Sequence, residues 1–362
     1  MATSRIDGVR IAGICCAVPS RKMGLAEGAQ TFGIETAQKI SDATGVVQRH
    51  VATDGMTASD LCFAAAQRLL SELGVEPSEI GGLIFISQTP DHVIPATCHG
   101  LQQRLGLNDS IFAFDVNLGC SGYCYGLWLA SSLLNTTGKP VLLLVGDAVT
   151  SFSSGEDQSV AMLFGDGGTA TLIRADAEAA PMYFQLGADG SGAEHLIIPA
   201  GGLRQPSNDS TRQRKTRENG NLRSEEELYM NGAEIFAFTL KRVPPLIKGV
   251  LELGGTALEE VDAVVCHQAN AFILEYLRKK MKVPPEKFVV EMRDLGNTSS
   301  ASIPLAIAAS PVWRERCING EARLLLCGFG VGFSWAAALV ELKNIIFPEI
   351  VECGEEVIWR QS

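Results

Sequence analysis

Cationic residues are in short supply in this chain: 30 Lys and Arg stand against 41 Asp and Glu, a net charge of −11. A nucleic-acid binder gains affinity by neutralising phosphates, so this balance argues against that class, and an acidic partner would need a local basic patch. Long apolar runs are missing too. No stretch reaches the roughly 18 uninterrupted apolar residues of a membrane helix, and the short apolar stretch before Pro19 has no signal-type cleavage context. Ten cysteines occur, at 15, 16, 62, 98, 120, 124, 266, 317, 327 and 353, yet there is no paired CxxC motif and no histidine at zinc-finger spacing. They lie in or beside apolar runs, which reads as reduced thiols in a cytoplasmic protein without a metal site. Charged residues make up only 20% against 46% apolar, which excludes a mostly disordered chain.

What is present is an α/β pattern. A chain of 362 residues exceeds the size at which one core stops growing, so two lobes are expected. Strands are predicted at 9–18, 82–87, 111–116, 141–147 and 169–174, with helices between them. The series then restarts: a strand in YFQLGAD, a long helix over 227–253, and strands in VDAVVC, FVVEM, ARLLLC and FSWAAALVEL. This predicts two related halves, 1–180 and 181–362. Aligning GLIFISQT with DAVVCHQA puts Cys120 and the Asn297-Thr298 pair at matching strand-to-helix corners, so a twofold arrangement could bring them to one cleft. A polar excursion at about 203–227 breaks the periodicity and concentrates Arg204, Arg212, Arg214, Lys215, Arg217 and Arg223. It is either a solvated, mobile loop or a docking patch for an acidic partner.

Cys120 stands where the apolar run IFAFDV breaks and a small-residue helical pattern begins. A thiol at a helix N-terminus can have its pKa lowered below about 8.5, which would make it a nucleophile; the alternative is an ordinary buried cysteine. His267 closes the strand VDAVVC, where a structural role is equally open. Together, Cys120, His267 and Asn297 fit the logic of thioester chemistry, a nucleophilic cysteine with an imidazole and an amide.

The stretches DVNLGCSGY, GDGG (165–168), HQAN (267–270), GNTSSASIPLA (296–306), GFGVGFSWAAAL (328–339) and TGVVQRHVA (44–52) occur in the order and spacing of one family. They resemble the β-ketoacyl-(acyl carrier protein) synthase III group of the thiolase superfamily. The resemblance implies the thiolase-like fold, two βαβαβαββ halves in a five-layer α-β-α-β-α sandwich, usually as a homodimer. It implies that Cys120 accepts an acyl group and that His267 and Asn297 stabilise the enolate formed when a malonyl-type thioester loses carbon dioxide. The product would be a 3-oxoacyl thioester. The backbone N–H groups of Cys120 and Val331 would form the oxyanion hole for the acyl-enzyme. Ile94, at the position that gates the acyl pocket across the dimer, would join Phe329 and Phe333 at that pocket. No cofactor is implied beyond the acyl-CoA or acyl-carrier substrates, and acyl carrier protein is the implied partner.

Other features bear on the substrate. GFGVGF has Phe333 where a dinucleotide fingerprint needs its third glycine, and GDGG lacks the Lys-Ser/Thr of a phosphate-binding loop. Cys327, which a degradative thiolase might use as a base, reads as a strand end. Positions that sandwich adenine in acetyl-CoA-primed relatives are Lys39 and Gln158, and the usual basic docking residue is Phe272. Arg278, Lys279 and Lys280, or Arg214 and Arg217 of the excursion, would compensate. These departures keep a second activity open, acyl transfer to an alcohol or amine without loss of carbon, and a third reading of a silent binding partner.

Overall fold

Every residue of the strand Val141–Asp147 is buried, as expected of a central strand covered on both faces. In the computed structural model, which describes residues 1–360, this strand lies in a six-stranded sheet. The order is 351–353, 9–19, 167–175, 141–147, 82–86, 112–116, the last three parallel. A five-stranded sheet runs 2–6, 182–188, 334–343, 321–330, 263–266. Helices Gly122–Thr137 and Ser302–Ala309 are sandwiched between the sheets and pack on strands of both. Helix Ala58–Leu73 covers the outside of the first sheet, and Gly232–Gly254 the outside of the second, with Ala271–Met281 packed on it. This is the five-layer α-β-α-β-α sandwich of the thiolase-like fold.

The central layer explains the small-residue helix that follows Cys120. A Cβ on Gly126 would come within 2.6 Å of Ile86 Cδ1 and 2.8 Å of Leu143 Cδ1, so the bare backbone lets the helix sit directly on the sheet. Larger residues on its other faces, Tyr123, Leu127 and Leu134, are fully buried in the core between the sheets, each contributing about 1.5–3 kcal/mol. The corner carrying Cys120 is thereby fixed from behind.

The chain ends depart from a simple division into 1–180 and 181–362. Ala2–Ile6 pairs antiparallel with Met182–Ala188 in the second sheet, while Val351–Cys353 pairs parallel with Val9–Pro19 in the first. The strand expected at FVVEM is reduced to a single bridge between Val264 and Phe288. Beyond it the Gln268 carboxamide replaces the ladder, donating to Val289 O (3.3 Å) and accepting from Glu291 N (2.9 Å). The long helix begins at Gly232 rather than 227, because Asn231 caps Glu234 N at 3.2 Å and Tyr229–Met230 instead pairs with Leu196–Ile197.

The excursion at 203–227 is folded. Asn208 caps a short helix, Asp209–Arg212, and Lys215–Thr216 pairs with Leu222–Arg223. The Ser154 hydroxyl donates to Leu222 O at 2.6 Å, and the buried Arg223 bonds Asp157 at 2.9 Å, tying the excursion to the first half. No helix among the described residues is long and apolar enough to cross a membrane.

Candidate active site

Three corners meet around one cavity. Cys120, on the turn between strand Phe112–Val116 and helix Gly122–Thr137, lies at the wall of a cavity of about 300 Å³ and is itself almost wholly buried. The cavity is also lined by Gln88, Thr89, Asn117, Val149, Phe152, Phe164, Ser299 and Val331, and roofed by Leu196, Ile197, Ile198 and Leu228. His267 and Asn297 stand just behind Ser299. The Ser299 N–H donates to Asn297 Oδ1 at 2.9 Å, its carbonyl faces the His267 ring, and its hydroxyl lies beside both the Cys120 thiol and the Asp147 carboxylate. Ser299 thus joins all three residues. It does so in the left-handed region, at φ 49°, a conformation that costs a non-glycine residue of order 1 kcal/mol.

The imidazole is held on both sides. Its Nδ1 lies 2.7 Å from Ser302 Oγ, and its ring stands perpendicular to Phe329 with the ring centroids 5.7 Å apart. A carbonyl can only accept, so the tautomer that fits carries its hydrogen on Nε2 and accepts at Nδ1 from Ser302. Burial pulls its pKa down to about 3, so the ring is neutral at physiological pH. Asn297 Nδ2 donates to Ala269 O at 3.3 Å, leaving its second hydrogen free. Two neutral donors, an imidazole N–H and a carboxamide N–H, therefore stand together in a water-poor site.

The thiol behaves differently from the sequence expectation. Burial pushes Cys120 up to about 11, outweighing the Val331 and Cys120 backbone N–H groups and the Ser299 hydroxyl, which favour the thiolate; the nearby Asp147 carboxylate pushes the same way as burial. The helix-terminus effect is worth only about 0.3–1 kcal/mol, less than the cost of desolvating a sulfur anion. The resting nucleophile is a thiol with two backbone N–H groups already pointing at it. Alkylation of Cys120 by iodoacetamide is accordingly expected to climb about tenfold per pH unit to near pH 10, without a plateau at neutrality; a plateau below about pH 8 would show a stabilised thiolate. Close approach of the Gly-rich strand makes this geometry: a Cβ on Gly330 would lie 2.8 Å from the Cys120 sulfur.

Sequence comparison meets this geometry at the same residues. Residues 114–190 match the 3-oxoacyl-(acyl-carrier-protein) synthase III family, and residues 251–342 match that family's C-terminal region. A β-ketoacyl-(acyl-carrier-protein) synthase III of Clostridium perfringens is 33% identical over 312 residues, covering 85% of this chain and 92% of its own. The corresponding protein of Nitratidesulfovibrio vulgaris is 34% identical over 313 residues, covering 86% and 91%. The chain belongs to the 3-oxoacyl-(acyl-carrier-protein) synthase III family. It is a condensing enzyme. Among solved structures, a 3-oxoacyl-(acyl-carrier protein) synthase of Burkholderia xenovorans superposes with a TM-score of 0.91 at 39% identity, covering 97% of this chain and 99% of that one. The priming β-ketosynthase of the R1128 polyketide biosynthetic pathway superposes with a TM-score of 0.77 at 26% identity, covering 92% of this chain and 96% of that one.

Several residues predicted for this synthase lie elsewhere. None of the three acyl-pocket positions lines the cavity of the single chain. Phe329 is in the core behind His267. Phe333 stacks on Phe238 at 4.0 Å and borders a separate groove with Asp189, Glu234 and Arg242. Ile94 is 83% exposed on an outer groove beside Trp359. Phe329 belongs to the strand Glu321–Gly330, whose alternation puts Gly328 and Gly330 toward Cys120 and Phe329 on the opposite face, whereas Phe333 lies in the turn at 331–333 that follows. Of the docking candidates, Lys39 and Gln158 are exposed and Phe272 stands out from the surface against Phe236. Arg278 and Lys279 are engaged with Glu275, Arg214 with Glu227 and Glu156, and Arg217 with Glu225. The basic excursion is thus largely neutralised by its own carboxylates rather than forming an open cationic patch. Cys327 is a buried strand residue whose carbonyl accepts from His267 N at 2.8 Å. The apolar roof, Leu196–Ile198 and Leu228, and the polar trio Gln88, Thr89 and Asn117 escaped the sequence reading. The run HLII at 195–198, apolar yet outside any predicted element, was the available signal.

Proposed function

We propose that the enzyme loads an acyl group from an acyl-CoA or acyl-carrier-protein thioester onto Cys120 and condenses it with a malonyl-type thioester. The Cys120 sulfur attacks the donor carbonyl, the developing oxyanion is held by the Cys120 and Val331 N–H groups, and the donor thiol departs with the proton. The extender then binds with its thioester oxygen taking the His267 Nε2–H over from the Ser299 carbonyl and accepting from Asn297 Nδ2–H as well. Loss of carbon dioxide leaves an enolate, which attacks the acyl-cysteine and expels the Cys120 sulfur as the 3-oxoacyl thioester forms. Two neutral donors favour an enolate oxygen without offering a strong base, and one such donor is worth about 3–4 kcal/mol. The observation that carries this reading is the convergence of all three side chains on Ser299 at the cavity wall. No metal or organic cofactor takes part in the proposed steps, and a cytoplasmic location with acyl carrier protein as the partner fits them. A homodimer is proposed through the edge strand Phe112–Val116, half-buried along its length and paired on one side only, beside the exposed Val93 and Ile94.

The test is stoichiometric. Incubation of the intact protein with acyl thioesters is expected to add one acyl mass to the Cys120 peptide, and addition of malonyl thioester to release one carbon dioxide per 3-oxoacyl product. Acyl transfer to an alcohol or amine without carbon dioxide would instead establish the non-decarboxylating activity.

A further inference from the structure

Of the fully buried carboxylates that the reaction above leaves unused, Asp147, Asp157 and Asp166, Asp147 is the one bonded to the turn that carries Ser299. Asp147 ends strand Val141–Asp147, is completely inaccessible, and has no Lys, Arg or His within ion-pair distance among the described residues. Burial raises its pKa. A buried carboxylate without a cation is costly unless several donors satisfy it, and the donors here have a pattern. Oδ1 accepts from Gln88 N at 2.7 Å and from the Ser87 hydroxyl at 3.1 Å. Oδ2 accepts from Ser300 N at 3.2 Å and the Ser300 hydroxyl at 2.6 Å. One oxygen therefore holds the first-half loop that brings Gln88 and Thr89 to the cavity. The other holds the second-half turn in which the strained Ser299 joins Asn297, His267 and Cys120.

We infer that Asp147 is a positioning residue that locks the Asn297–Ser300 turn of the second half to the 87–89 loop of the first, setting the oxyanion donors against the nucleophile. This role rests on the proposed condensation and deepens it. A left-handed Ser299 has no intrinsic reason to stay in place. Its neighbour Ser300 is clamped by two hydrogen bonds to a carboxylate that is itself anchored at the end of a buried central strand. Charge-assisted bonds of this kind are about twice as strong as neutral ones. An amide at position 147 with its oxygen on Gln88 N and Ser87 turns an N–H toward Ser300, losing the bond from Ser300 N and replacing the charge-assisted bond of the Ser300 hydroxyl by a neutral one, so the clamp on the turn is weakened while the bonds from Gln88 and Ser87 are kept.

The experiment measures kcat per active site, titrated by Cys120 acylation, for D147N, S300A and the double variant. A displacement of the donors by a fraction of an ångström or more is expected to lower kcat about ten- to hundredfold in D147N, with KM for the malonyl thioester within about twofold. S300A is expected to fall less, and in the D147N background to cost almost nothing further, because both changes break one link. A purely structural role would lower the melting temperature and the titratable fraction while leaving kcat per active site unchanged. That result in D147N, or additive losses in the double variant, overturns the inference. Should D147N not fold, S300A alone decides: a kcat per site equal to wild type overturns it. If the wild-type protein itself released no carbon dioxide, the proposed condensation would fail, independently of these comparisons.

Discussion

Asn297→Asp is expected to lower condensation at pH 8 by about a thousandfold or more. The substitution is nearly isosteric. Asn297 Oδ1 accepts from Ser299 N at 2.9 Å, and an aspartate oxygen does the same, so the turn has no reason to move. The change falls on the other atom. Nδ2 donates to Ala269 O at 3.3 Å and has a second hydrogen for the extender oxygen; a carboxylate oxygen there faces a carbonyl on one side and a developing enolate on the other. One donor is lost, worth about 10²–10³ in rate, and a like charge is added in a site of low dielectric. Both the burial and the Ala269 carbonyl raise the pKa of such an aspartate, since each disfavours its charged form. Its protonated form can donate again. Activity of the variant is therefore expected to rise as the pH falls from 8 toward 6, whereas the wild type, whose His267 stays neutral down to about 3, shows no such limb. A pH profile of carbon dioxide release checks it. A variant with wild-type rate at pH 8 would remove Asn297 from the enolate step.

How much of this was legible in the sequence depends on whether a feature is local. Strand Val141–Asp147 was read to the residue, because the apolar run VLLLV bounded by Pro140 and by Gly146-Asp147 leaves little choice of limits. The three chemical side chains were legible because each sits at a corner where apolar periodicity changes, and because a duplicated pattern aligns those corners. What could not be read was set by partners far away in the chain. Ala2–Ile6 alternates as any edge strand would, and nothing local says that it joins residues 182–188 rather than its neighbour at 9–19. FVVEM has strand composition, but a side-chain amide from Gln268 took the place of its ladder. The excursion looked mobile because it is polar; its order comes from ion pairs such as Arg223 with Asp157, 66 residues apart. The thiol was misjudged for a related reason. A helix N-terminus is visible in the sequence, whereas the desolvation that overrides it is imposed by the roof and by the Gly-rich strand packed against Cys120.

Cys120→Ala is expected to separate the two halves of the reaction. Condensation needs the sulfur twice, as acceptor of the acyl group and as leaving group, and no other cysteine among the described residues lines the cavity, so product formation should fall by at least about 10⁴-fold. Decarboxylation needs the sulfur not at all. His267 is held by Ser302 and Asn297 by Ala269 and Ser299 N, and none of those hydrogen bonds runs through residue 120. Removing one sulfur atom also leaves the turn's backbone in place, because Gly122 N still donates to Gly119 O at 2.6 Å and the helix behind it is fixed by the core. Carbon dioxide release from malonyl thioester is accordingly expected to persist within about tenfold of the wild-type rate, the enolate being protonated to an acetyl thioester instead of attacking an acyl group. Parallel assays of 3-oxoacyl product and of carbon dioxide on the same preparation distinguish the outcomes. If both activities vanish together while the protein stays folded, the imidazole and carboxamide depend on the thiol, and the division of labour among Cys120, His267 and Asn297 is wrong.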